Sequence, residues 1–173
     1  MLLLVSGADL VVTMDAARRE IPRGWVAIRD GLVTGVGGPG DEPAADRVVS
    51  AAGCLVTPGL VNTHHHMVQS LTRAIPAVQN AELFGWLQGL YPIWAGLTPE
   101  MVFTATQTAM AELLLSGCTT SSDHHYVFPQ AVKEDLIGLQ IAAARGARGG
   151  ILRRVGQAAD ARVGRSEEHT SEL

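Results

Sequence analysis

The sequence predicts an α/β protein in which a small β-rich segment precedes alternating strands and helices. Three features carry that expectation. Short apolar runs separated by turn residues fill positions 2 to 56, a long amphipathic helix is bounded by recognisable caps, and a strand-like run flanks that helix on each side.

The first segment contains LLLV, DLVVTM, WVAIR, LVTGV and RVVSA. Asp30-Gly31 lies between the third and fourth runs, and Asp-Gly flanked by apolar runs is a strong hairpin signal. A small antiparallel sheet is expected, with GGPGDEPAAD from Gly37 to Asp46 as a polar loop within it. The opening MLLLVSGADLVVTMD has no basic leading region and is interrupted by Asp9 and Asp15, so it reads as strands and not as a signal peptide or a membrane span.

The pattern changes at Thr57-Pro58-Gly59. The next run, LVNTHHH, stops abruptly in a histidine cluster, as a buried strand ending in a site would. After ELFGWLQGL comes the clearest helix, from Pro99 to about Ser116. Thr98 is placed as N-cap, Pro99 suits the first helical position, Glu100 complements the helix dipole and Gly117 closes the C-terminus. Val102, Ala105, Ala109 and Leu113 recur at helical spacing and form its apolar face. CTTSSDHH reads as a further strand that turns polar at its end, and Gln130 to Arg145 as a second helix. Strand, helix, strand, helix implies a parallel α/β unit.

The Gly/Ala/Arg stretch from Ala144 to Gly164 has weak periodicity and is not assigned to that unit. The last nine residues, RSEEHTSEL from Arg165 to Leu173, are what AGATCGGAAGAGCACACGTCTGAACTC encodes, a string identified as a common sequencing-library adapter. They are expected to be artefactual, and the native reading frame need not extend through the stretch before them. The expected organisation is therefore a β segment over 1–56, α/β units over 57–145, and a remainder over 146–173.

Composition narrows the function. With 47% hydrophobic and 17% charged residues, the 173-residue chain can bury a sizeable core. A net charge of -4 and the lack of any Lys/Arg run argue against nucleic acid or an anionic membrane surface as partner and leave small molecules. Two distant cysteines, Cys54 and Cys118, form no CxxC pair, which points away from a disulfide framework and toward the reducing cytoplasm. Cys118 reads as a small buried residue.

In an extended strand alternate side chains share a face, so His64 and His66 project together while His65 points away. Two imidazoles so placed can chelate zinc or a related transition metal. An isolated HxH is more readily an ordinary pair of surface or core histidines; here the context reverses that, because the pair ends an apolar run directly after Thr-Pro-Gly and a β-rich segment precedes it.

At VTPGLVNTHHHMVQSLTRA, Val56 to Ala74, the sequence resembles the amidohydrolase superfamily and its cytosine/guanine/triazine deaminase branch. The fuller run NTHHHMVQSLTRAIPAVQNAELFGWLQGLYPIW, with TTSSDHHYVFP after the long helix, is similar to the 8-oxoguanine deaminase subgroup over roughly residues 1 to 145. The resemblance implies a (β/α)8 TIM barrel, of which this chain holds the first units, with a β-sandwich segment from residues 1 to 56. It also implies the activity of a metal-dependent aminohydrolase. Water activated by one divalent metal, zinc first and iron as the alternative, would attack the amino-bearing carbon of a purine-like ring, most naturally 8-oxoguanine, with release of ammonia. The alternatives are triazine, guanine or cytosine hydrolysis, or a non-catalytic metal-binding module.

By motif match His64 and His66 are the implied metal ligands, and Gln69 corresponds to a position expected to hydrogen-bond a substrate carbonyl. Gln69 also reads as a solvated polar residue, and Arg73 as either a partner for a charged substrate or a structural ion pair. The family's acid/base residues and remaining ligands have no counterpart here, so no catalytic residue is named and the chain alone is expected to be inactive. His124 and His125 follow the wrong strand for the third ligand and are read as loop or supporting residues; His169 is discounted with the adapter-like tail. Trp86, Tyr91 and Trp94 either fill a core or line a pocket, Met67 packs, and Asp123 either orders a histidine or caps a strand. A homo-oligomer is implied for the full-length protein.

Overall fold

Residues 1–129 and the short strand Val155–Gln157 are described by the computed structural model. The chain separates into two units, Met1–Pro58 and Gly59 onward.

The first unit is built from β1 (Leu2–Ser6), β2 (Leu10–Val12), β3 (Glu20–Pro22), β4 (Trp25–Arg29), β5 (Leu32–Gly37), β6 (Arg47–Ser50) and β7 (Leu55–Val56). Each predicted apolar run contains a strand, whereas β3 and β7 are too short to register as periodic patterns. Asp30 and Gly31, with φ of 51° and 78°, form the two-residue turn of the β4–β5 hairpin, whose primed geometry matches strand twist.

The expected single antiparallel sheet is corrected to two mixed sheets, ordered β5-β4-β1-β6 and β3-β2-β7. β6 lies parallel to β1, and β7 parallel to β2. Parallel partners need long connections, which the intervening strands and the 38–46 loop supply. That loop is tied down where Trp25 Nε1 donates to the Asp41 carboxylate at 2.7 Å and the Leu2 amide donates to Asp46 at 2.6 Å. Leu2, Leu4, Trp25 and Ala27 form one core cluster; Ala8, Val11 and Ala51 form another, with Val5, Val26, Ile21 and Val56 packed from both sheets.

The second unit contains β8 (Leu60–Asn62), 3-10 turns at Met67–Thr72 and Pro76–Val78, α1 (Leu83–Trp94), α2 (Pro99–Leu115), β9 (Cys118–Asp123) and β10 (Val155–Gln157). Its sheet is parallel in the order β10-β9-β8, as the strand–helix–strand pattern requires. Gly59 permits the close approach: a Cβ there would collide with the Thr119 side chain on β9. β10 falls within the stretch to which the sequence assigned no element, while the predicted helix over 130–145 and the tail 165–173 lie outside the described residues.

α2 agrees with its caps. Thr98 Oγ1 accepts from the Met101 amide at 3.3 Å, Pro99 and Glu100 open the helix, and Gly117 follows it with φ of 83°. Val102, Ala105, Ala109 and Leu113 are buried, joined by Thr106 and Met110. α1 escapes periodic reading because Pro92 interrupts its last turn and its glycines dilute the pattern.

One core cluster holds Met67, Ala109, Met110, Leu113 and Cys118; the other gathers Val68, Val78, Leu90, Trp94, Leu97, Val102 and Val127. Together they clamp the 3-10 turn that follows the histidines from two sides. β8 is corrected from a buried strand to an exposed one: Leu60 and Val61 are 59% and 64% exposed, because among the described residues the sheet continues only on its β9 side. Among the described residues no helix is long and apolar enough to cross a membrane.

Candidate metal centre and its cleft

The histidine run leaves β8 at its carboxyl end, beside the carboxyl end of the parallel neighbour β9. Open ends of parallel strands are where side chains from different elements converge without sheet pairing to obstruct them. β8 itself stops at Asn62, so the expectation that the histidines lie within the strand is corrected. Asn62 Oδ1 accepts from the His64 amide at 3.0 Å, which takes the chain out of the ladder in an Asx turn.

The alternation nevertheless persists. His64 Nε2 and His66 Nε2 lie 3.1 Å apart, with ring planes at 87°. His65 turns away; among the described residues its Nδ1 is buried without a partner, and burial, opposed by the Asp123 charge, lowers its pKa.

The segment after β9 braces this run from the side. His124 N donates to the His65 carbonyl at 2.7 Å, His66 Nδ1 lies 2.6 Å from the His124 carbonyl, and Asp123 Oδ1 accepts from the Met67 amide at 3.0 Å. A carbonyl only accepts, so His66 Nδ1 must carry the proton and its Nε2 keeps a free lone pair. His124 stacks on His64 at 4.7 Å and spends its own Nε2 on the Thr63 carbonyl at 3.1 Å. It therefore supports the pair, and His125 turns to the Val127 carbonyl at 2.5 Å. Asp123 is fully buried and serves the turn after the histidines; Ser122 Oγ donates to the Thr63 carbonyl at 2.7 Å.

The geometry fits a metal. Two nitrogens each about 2.0–2.1 Å from one ion subtend an angle of about 100° when they are 3.1 Å apart, close to a tetrahedral arrangement. The outward hydrogen bond of His66 is the kind that orients ligating imidazoles. Among the described residues no group of three or more His, Cys, Asp or Glu side chains is arranged to hold an ion, so the pair provides two donors and no closed cage.

A cleft of about 420 Å³ opens over the pair, lined also by Gln69, Ser70, Arg73 and Trp86. Gln69 is thus brought beside the histidines, and its Nε2 donates to the Tyr126 hydroxyl at 2.6 Å. Arg73 reaches the same cleft but is held by Glu112 through contacts of 3.0 and 2.6 Å, the structural alternative of its two readings.

The three aromatics divide. Trp94 is fully buried and donates to Thr72 at 3.1 Å, Trp86 lines the cleft, and Tyr91 is 42% exposed. Cys118 and Met67 are buried as expected. Tyr126 escaped the sequence reading altogether: its ring packs edge-to-face on His66 at 5.2 Å and its hydroxyl meets Gln69 across fifty-seven positions, contacts that no local pattern announces.

The amidohydrolase family model matches residues 55–153. The chain is 50% identical over 113 residues to the 8-oxoguanine deaminase of Pseudomonas aeruginosa, a match covering 64% of this chain and 25% of that protein. It is 39% identical over 138 residues to the 5-methylthioadenosine/S-adenosylhomocysteine deaminase of Syntrophobacter fumaroxidans, covering 77% and 30% respectively. Among solved structures, atrazine chlorohydrolase from Arthrobacter aurescens TC1 complexed with zinc superposes with a TM-score of 0.77 at 29% identity, covering 83% of this chain and 33% of that one. The chain therefore spans about a quarter to a third of the length of these relatives.

Proposed function

The chain belongs to the amidohydrolase family, and we propose that it supplies the first two metal ligands and part of the substrate cleft of a zinc-dependent aminohydrolase. The reading rests above all on the convergence of His64 Nε2 and His66 Nε2 at 3.1 Å at the carboxyl end of β8. A bound divalent ion supplies the Lewis acidity that activates water near neutral pH. His66 donates through Nδ1 to the His124 carbonyl and so presents an unprotonated Nε2; His64 is held beside it by the Asn62 turn and the His124 ring. Gln69, close by in the cleft, orients a ring through its amide.

The substrate we assign is a purine-like amino-heterocycle, 8-oxoguanine first, which loses its amino group as ammonia. Support comes from the 50% identity to an 8-oxoguanine deaminase across the segment that carries the pair and Gln69. A triazine substrate is the second reading, favoured by the structural likeness to a zinc-containing atrazine chlorohydrolase. The barrel of which β8, α2 and β9 form the first units is part of the same proposal.

The test is a chimera in which residues 1–129 replace the matching segment of the Pseudomonas aeruginosa enzyme, assayed for ammonia release from 8-oxoguanine, guanine and cytosine and for hydrolysis of hydroxytriazines. Turnover of 8-oxoguanine that disappears in His64→Ala and His66→Ala is expected, with none from the 173-residue chain alone. A folded, metal-loaded chimera that acts only on triazines would replace the first reading by the second, and one that acts on nothing would sink both.

A further inference from the structure

Tyr126 makes two contacts with the cleft that neither its position in the sequence nor the histidine motif accounts for. Its hydroxyl accepts from Gln69 Nε2 at 2.6 Å, and its ring packs edge-to-face on His66 at 5.2 Å and on the buried Trp94 at 6.0 Å. Those ring contacts hold the phenol from two sides, and the hydroxyl is thus a fixed acceptor.

A primary amide has two N–H donors and one carbonyl acceptor. With one N–H committed to Tyr126, Gln69 retains its other N–H and its carbonyl oxygen. That pair is complementary to a lactam edge, in which a ring C=O adjoins a ring N–H, and mismatched to an edge offering two acceptors or two donors. Gln69 lines the cleft within three residues of His66, so such a ring would lie beside the histidine pair.

We propose that Tyr126 is a positioning residue that fixes the Gln69 amide so that it reads the lactam edge of a heterocyclic ligand. This rests on the reading above that the cleft takes a heterocycle. The Tyr126 hydroxyl acts through Gln69 and does not itself touch the ring.

The 173-residue chain, labelled with ¹⁵N, is titrated with hypoxanthine, which carries a lactam edge, and with 1-methylhypoxanthine, in which the lactam N–H is replaced. In the unsubstituted chain the Gln69 side-chain amide signals, identified with Gln69→Glu, should show one hydrogen-bonded proton, move on addition of hypoxanthine, and respond to the methylated ring roughly tenfold more weakly, the effect of one lost hydrogen bond. Tyr126→Phe keeps the ring but removes the hydroxyl; it should abolish the bonded amide signal and bring the two affinities together while leaving the backbone spectrum folded. Preserved discrimination in Tyr126→Phe overturns the proposal, as does a Gln69 amide that shows no bonded proton before any substitution. Failure of the unsubstituted chain to bind hypoxanthine overturns the lactam assignment, whereas the aminohydrolase reading stands or falls separately on ammonia release by the chimera.

Discussion

His66 is constrained at both ring nitrogens. Nδ1 is bound to the His124 carbonyl, which leaves Nε2 unprotonated and 3.1 Å from His64 Nε2. Removing a metal ligand should cost at least the roughly 10–100-fold in metal affinity that loss of an outer partner costs. His64→Ala and His66→Ala should each weaken zinc binding beyond that range in competition with a chromogenic chelator. His124→Ala should weaken it less, because the carbonyl that orients His66 belongs to the backbone and survives the substitution; an effect equal to that of His64→Ala would make His124 a ligand. The pair itself was legible in the sequence, since side-chain alternation in an extended chain needs only spacing. The braces were not. Asp123, His124 and Tyr126 reach the 65–69 run across more than fifty positions, and their placement depends on β9 lying parallel to β8.

Those braces depend on elements whose own stability has identifiable sources. α2 was readable from end to end because each of its signals is local: a threonine cap, a proline at the first position, four apolar residues at helical spacing and a glycine beyond its end. Thr98→Ala removes the acceptor for the Met101 amide and should destabilise the fold by about 1 kcal/mol, seen as a lower midpoint in urea. Met110→Ala, in the cluster shared with Met67, should cost roughly 2–5 kcal/mol and loosen the turn beneath the histidines. α1 and the two 3-10 turns carry no comparable local signature, because Pro92 and scattered glycines blur the period and 3-10 turns are too short to establish one. The two mixed sheets were illegible for a different reason. Each run announced a strand, but whether β6 returns parallel or antiparallel to β1 is decided by the path of the intervening chain and not by residues in either strand.

The second unit carries a pH dependence to which the part-buried His125 contributes. His125, after β9, has its pKa lowered below 6.5, chiefly by burial and also by the charge of His66; the hydrogen bond to the Val127 carbonyl and the charge of Asp123 act in the opposite sense. Folding thus disfavours its protonation, so the unfolded chain binds the proton more readily than the folded one. The stability that depends on neutral His125 is fully present above the unfolded value near 6.5 and is lost as pH falls through that value toward the lower folded one. His125→Gln retains a donor for the Val127 carbonyl but cannot titrate. Between pH 7.5 and 5 the melting temperature of the unsubstituted chain should therefore fall further than that of His125→Gln, with the gap opening below about pH 6.5. Parallel curves across that interval would show that His125 does not set the acid limb, whereas a gap that widened on raising the pH would reverse the sign required by a part-buried neutral imidazole.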